Sequence, residues 1–200
     1  MTDSIFPLLK RLTLFSSLFL NIYVCLSAQY LIADGIQQEA ALVIVIDDIG
    51  HQRAAAESAL ALPGKVTLAV LPFTPFSREV ALRASGLDKE IILHSPMSAS
   101  SPNKNPGPGA LSLEYNEKKF LEVLNAQLKF VPEARGLSNH MGSALTSKEI
   151  PMQWLMKYLK GRDLYFLDSR TTALSKASAA AKSNGVAYLE RKFFLDNVVS

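Results

Sequence analysis

The chain has 200 residues, 48% hydrophobic and 20% charged, which is the composition of one globular α/β domain with a full core and excludes a disordered chain. Its 21 basic and 18 acidic residues leave a formal charge of +3. No dense Lys/Arg run is interleaved with aromatics, which argues against nucleic-acid binding.

At the N-terminus, Lys10 and Arg11 precede an apolar run from Leu12 to Leu26, followed by the small residues Ser27 and Ala28. That order is a basic region, an apolar region and a cleavage zone. The run is shorter than the ~20 residues that span a bilayer comfortably. Residues 1–28 are therefore expected to be a cleaved signal peptide, with an uncleaved anchor as the alternative, and residues 29–40 a linker. Residues 41–200 are expected to be the functional domain of an exported protein of the periplasm or cell envelope, touching the membrane only through an uncleaved N-terminal segment. The single cysteine, Cys25, lies inside the leader, so the mature chain would form no disulfide. Bulky Tyr23 and Val24 argue against Cys25 as a lipid attachment point.

From there the chain alternates short apolar runs with longer helical stretches. Leu42 to Ile46 is an unbroken run rich in β-branched residues, the mark of a strand covered on both faces. Val66 to Leu71, Glu90 to Leu93, Leu164 to Leu167 and Val186 to Leu189 read alike, and Arg135 to Asn139 is a shorter candidate. Helices are expected over Arg53–Leu62, Phe76–Ser85, Asn116–Phe130, Ser147–Lys160 and Ser175–Ser183, the fourth with Ser147 as cap and Pro151 in its first turn. Strand and helix repeated this often call for a parallel sheet with right-handed crossovers, either open and doubly wound or closed into a barrel. The Pro- and Gly-rich stretch Ser98 to Gly109 suits neither a helix nor a central strand and reads as a surface loop beside the site.

The chemistry-bearing residues cluster at one end of these strands: Asp47-Asp48, His94, Asn139-His140 and Asp168-Ser169. In parallel α/β folds the carboxyl ends of strands open onto the ligand-binding loops, so residues scattered in sequence converge there. Adjacent residues on a regular strand point to opposite faces, so Asp47 and Asp48 share one site only if the pleat ends with them, and Gly50 permits such a sharp exit. Zinc takes neutral imidazole and carboxylate ligands and, when catalytic, keeps an open position. Asp48, His94 and His140 would supply three ligands for a divalent metal, zinc first, with iron, manganese or nickel able to use the same set. Asp168 is a candidate catalytic residue that would orient a neighbouring group, accept from a catalytic arginine or bind substrate hydroxyls, or else cap the following helix. Asn139, Ser169 and Arg170 are the candidate substrate contacts. Asp196 resembles Asp168 in its setting, and His51 reads as a solvated side chain.

Four stretches, Ile46 to Gly50 (Ile-Asp-Asp-Ile-Gly), His94 to Met97 (His-Ser-Pro-Met), Ser138 to Ser143 (Ser-Asn-His-Met-Gly-Ser) and Phe166 to Thr171 (Phe-Leu-Asp-Ser-Arg-Thr), resemble the divergent polysaccharide deacetylase family in order and spacing. The resemblance covers nearly everything after Ala40. It implies a distorted parallel (β/α) barrel, C-terminally incomplete because the chain stops at Ser200 soon after an expected strand. It further implies a metal-dependent hydrolase that removes N-acetyl groups from an envelope polysaccharide or peptidoglycan, with Asp47 as catalytic base and Asp48 as metal ligand. Two departures accompany it. Ser98 stands where the family's second metal-binding histidine would follow His94, and we infer that His140 replaces that ligand. The late histidine that protonates the departing amine has no counterpart before Ser200. A second expectation is therefore a noncatalytic glycan-binding or regulatory envelope protein on a degenerate deacetylase fold.

Overall fold

The computed structural model describes residues 42–195; the leader and linker readings and Asp196 lie outside them. Among the described residues, six strands alternate with five helices: β1 (Val45–Ile49), α1 (Arg53–Ala61), β2 (Thr67–Val70), α2 (Ser77–Gly86), β3 (Glu90–Met97), α3 (Glu117–Phe130), β4 (Gly136–Met141), α4 (Glu149–Lys160), β5 (Tyr165–Asp168), α5 (Ala177–Asn184) and β6 (Tyr188–Glu190). All five strand pairs are parallel, and the order across the sheet is the order along the chain. A doubly wound sheet needs a point where strand order reverses, and this sheet has none. Crossovers of one hand, each stepping to the next strand, lay all the helices on one face and curl the sheet around the other. The sheet is thus the wall of a distorted (β/α) barrel. No helix among the described residues is long and apolar enough to cross a membrane.

The core follows from the apolar runs. All four residues of β2 are buried, as is β3 from Ile91 to Met97, because helices cover one face and the inward side chains of neighbouring strands the other. On α3, Phe120, Leu124 and Gln127 form the buried stripe, and Phe120 meets Trp154 of α4 edge to face with ring centroids 5.7 Å apart. Burying each large apolar side chain contributes roughly 1.5–3 kcal/mol, which holds the helical layer on the sheet. Asn116 caps α3, its side chain accepting from the Lys119 N–H at 2.9 Å. Ser147 does not cap α4: its hydroxyl donates to the Ala144 carbonyl at 2.7 Å, and Lys148 holds the capping position.

Three strands run further toward their carboxyl ends than the apolar runs alone indicate. β1 begins at Val45 and continues through both aspartates to Ile49. β3 continues through His94 and Pro96 to Met97, and β4 through His140 to Met141. Ladder pairing supplies the reason: His94, Ser95, Pro96 and Met97 lie opposite Ser138, Asn139, His140 and Met141 in one unbroken register. The backbone bonds of one extended segment thereby stabilise the other, whatever the polarity of the side chains.

The Ser98–Gly109 stretch is turns and bends, as its composition dictates, yet it is tied down at several points. Leu111 bridges to Met97 as a short parallel pair, and the Ser98 carbonyl accepts from the Ala144 and Leu145 N–H groups at 3.2 Å each. Gln127, buried on α3, donates to the Gly109 carbonyl at 2.7 Å and accepts from the Ser95 hydroxyl at 2.6 Å.

Candidate metal centre

Pleat parity decides which polar residues can meet. Ser95 reaches out to Gln127 in the helical layer, so His94, its neighbour on the regular strand β3, faces the other way, into the concave side of the sheet. Ser138 lies directly opposite His94 and shares that face, as does His140 two residues on. On β1 the ladder slips between Ile46 and Ile49, where three steps along β1 match two along β2, from Leu68 to Val70. The extra residue is a β-bulge, and Asp48 sits in it with a left-handed φ of +56°. An aspartate tolerates that backbone better than most residues, at a cost on the order of 1–3 kcal/mol that the surrounding ladder must hold. The bulge breaks the strict alternation that would have separated Asp48 from the imidazoles.

The result is a compact donor set. Asp48 Oδ1 lies 2.7 Å from His140 Nδ1 and 3.3 Å from His94 Nε2. The two rings meet nearly edge to face, with centroids 5.1 Å apart. One ligand atom from each of Asp48, His94 and His140 falls within 4.8 Å of the other two. Hydrogen bonding to His140, then to His94, holds the Asp48 carboxyl well below the usual carboxylate range, with partial burial opposing the shift. His94 is buried, His140 half-buried and Asp48 open to solvent, so the cluster has a dry floor and an accessible mouth. Two imidazoles and one carboxylate around a common point, with a solvent-facing side, are the donors of an open zinc-type site. The chemistry of the donor set fits a divalent cation.

The other candidates divide. Asp47 is exposed beside Asp48 on the bulge, and His51 is exposed just after it. Asp168 is fully buried, and hydrogen bonds engage both its oxygens: Oδ1 accepts from the Arg170 N–H at 2.7 Å, Oδ2 from the Ser175 hydroxyl at 2.6 Å and the Tyr188 hydroxyl at 3.2 Å. It ties the turn after β5 to the start of α5 and to β6. Burial raises the Tyr188 phenol above its ordinary value, helped by the negative charges of Asp168 and Glu190. Arg170 holds a left-handed φ of +50° in this turn, its Nε 3.7 Å from Glu190 Oε2. The Ser169 carbonyl accepts from Arg191 Nε at 2.8 Å.

Asn139 is buried on the strand between Ser138 and His140, so parity turns it away from the imidazole cluster. Its Oδ1 accepts from the Ser169 N–H at 2.9 Å, and its Nδ2 donates to the Met141 carbonyl at 2.7 Å. The Thr171 hydroxyl donates to the same Met141 carbonyl at 2.8 Å. Asn139 thus fastens the exit of β4, where Met141 and Gly142 both have positive φ, to the turn after β5. Ser98 is spent on anchoring the long loop, its hydroxyl 3.3 Å from the Leu111 carbonyl.

Two residues not singled out as site candidates complete the surroundings. Ser138 Oγ lies 2.7 Å from His94 Nδ1, a contact legible in principle from the period-two spacing of Ser138 and His140 on one strand face. Tyr188 carries no local signal of its contact with Asp168, which comes from a different strand.

Fold and site together define a parallel (β/α) protein with an Asp/His/His cluster that could hold a cation at the carboxyl ends of its strands. The chain belongs to the divergent polysaccharide deacetylase family, whose model matches residues 44–200. It is 38% identical over 157 residues to the uncharacterized protein YibQ of Escherichia coli (strain K12), covering 78% of this chain and 49% of that protein. An uncharacterized protein of Haemophilus influenzae is 35% identical over 159 residues, covering 80% of this chain and 56% of its own length. The chain thus spans about half the length of these curated relatives. A crystal structure of an uncharacterized protein from Agrobacterium tumefaciens C58 superposes with a TM-score of 0.74 at 24% identity, over 78% of this chain and 64% of that one, and it establishes the shared fold.

Proposed function

We propose that this chain is a metal-dependent hydrolase that removes N-acetyl groups from an envelope polysaccharide or peptidoglycan. The observation that carries the reading is the meeting of Asp48, His94 and His140 at the carboxyl ends of β1, β3 and β4 in a member of a deacetylase family. Asp48 Oδ1, His94 Nε2 and His140 would hold a divalent cation, with zinc as the first choice. Such a cation supplies Lewis acidity toward an amide carbonyl and lowers the pKa of water toward ~7. Asp47, exposed beside the ligand carboxylate, is the residue available to take the proton of an attacking water. Asp168 has both oxygens engaged, and its part in the reaction is to keep the turn after β5 in place. The leader reading of residues 1–28 supports an exported, envelope-located protein, where a glycan substrate would be met.

The test is acetate release from peptidoglycan and chitin fragments by protein stripped of metal and then reloaded with zinc. Turnover should require the metal and vanish in Asp48→Ala; turnover that survives that substitution would refute the metal role. The full engagement of Asp168 favours a second reading, a noncatalytic glycan-binding or regulatory envelope protein. Fragment binding of equal strength with and without chelator, without acetate release, would select it.

A further inference from the structure

Both ring nitrogens of His94 are engaged in a buried setting. Nε2 faces Asp48 Oδ1 at 3.3 Å, and Nδ1 faces Ser138 Oγ at 2.7 Å. His94 is 3% and Ser138 1% exposed, so water does not stand in for either partner. A neutral imidazole carries one proton for its two nitrogens. Facing the Asp48 carboxylate, which only accepts, Nε2 must carry that proton, and bare Nδ1 then needs a donor. To serve as a cation ligand, Nε2 must be bare, and Nδ1–H then needs an acceptor. A carboxylate or carbonyl beside Nδ1 would satisfy only the second state, and an alkyl group neither. A hydroxyl both donates and accepts, and it satisfies the two states by rotating.

We propose that Ser138 is a positioning residue that holds the His94 ring in either tautomer, so that the proton moves from Nε2 to Nδ1 when a divalent cation arrives. The exchange balances: Nε2 releases one proton to solvent, Nδ1 takes one up, and the Ser138 hydroxyl turns from donor to acceptor with no net change of charge. The register of the sheet fixes this pairing, because His94 and Ser138 are direct partners across β3 and β4. The inference rests on the reading of Asp48, His94 and His140 as cation ligands.

The chain has three histidines, few enough to resolve by 15N NMR of the full chain. Wild type, Ser138→Ala and Ser138→Thr would be compared in chelator and in zinc, with zinc affinity measured by chelator competition. In wild type, His94 should read as Nε2–H in chelator and Nδ1–H in zinc. In Ser138→Ala, Asp48 still favours Nε2–H in chelator, so the His94 Nδ1 resonance should move by the loss of its hydrogen bond with no change of tautomer, and zinc binding should weaken about 10–100-fold, the usual loss when a ligand histidine loses its outer partner. Ser138→Thr, which keeps the hydroxyl on a β-branched residue suited to a strand, should restore both. Unchanged His94 shifts and unchanged zinc affinity in Ser138→Ala would overturn the proposal. If wild type takes up no zinc, the hydrolase reading fails, and the chelator spectra alone decide on Ser138: a displaced His94 Nδ1 resonance in Ser138→Ala upholds its role, and an unchanged spectrum overturns it.

Discussion

Replacing Asp48 by asparagine keeps the shape of the side chain and removes the charge on which the imidazole cluster centres. Hydrogen bonds to a charged group typically contribute ~1.5–3 kcal/mol. The Asp48 side chain is 58% exposed, however, and solvent screening brings the expected loss in metal-free protein down to about 1 kcal/mol. For a domain of this size that lowers Tm by about 2–4 °C. The pH dependence has a defined sign. Because the folded-state pKa lies below the ordinary value of 3.8, the contribution is fully present above 3.8 and disappears as pH falls further, so wild type and Asp48→Asn should converge in acid. Under the proposed function, zinc should widen the gap at neutral pH. At a free concentration of ~100 Kd a bound ligand adds about 2.7 kcal/mol, which at ~2–4 °C per kcal/mol raises the wild-type Tm by about 5–11 °C. Differential scanning fluorimetry in chelator and in zinc should show that rise in wild type and almost none in Asp48→Asn. A zinc shift of wild-type size in the variant would refute the assignment of Asp48 as a ligand.

Three further substitutions separate chemistry from scaffold. Asp47→Asn should cut acetate release by about 10²–10⁴ while leaving the zinc-induced rise in Tm unchanged, as expected of a proton acceptor that holds no metal. At Gly50, with φ of +131°, an added Cβ would collide with Thr74 Oγ1 and lie 2.7 Å from Ser77 Oγ. Gly50→Ala should therefore cost at least about 2 kcal/mol in chemical denaturation, and an unaltered midpoint would mean that the turn after Asp48 has room to move. Gln127→Leu strands the Ser95 hydroxyl and the Gly109 carbonyl, at about 1–3 kcal/mol. Limited proteolysis should then cut within residues 98–109 faster than in wild type, and an equal rate would show that the loop is held from elsewhere.

Much of this architecture is written locally. Runs such as Val66 to Leu71 and Glu90 to Leu93 declare strands buried on both faces, and the alternation with helical stretches declares a parallel sheet, because period and apolarity are properties of neighbouring residues. The placement of His94 and His140 at the carboxyl-terminal side of such runs likewise needs no coordinates. What lay beyond the sequence depends on which strand stands beside which. The bulge that brings Asp48 to the imidazoles arises from a slip between β1 and β2, and the extension of β3 and β4 through the histidines arises from their mutual ladder. The pleat sends Asn139 away from His140, its immediate neighbour, and Tyr188 reaches Asp168 from the next strand. Residue type and spacing therefore determined the donor inventory and the class of fold. Cross-strand register, a long-range property with no local signature, decided which donors share a centre and which serve to hold the loops in place.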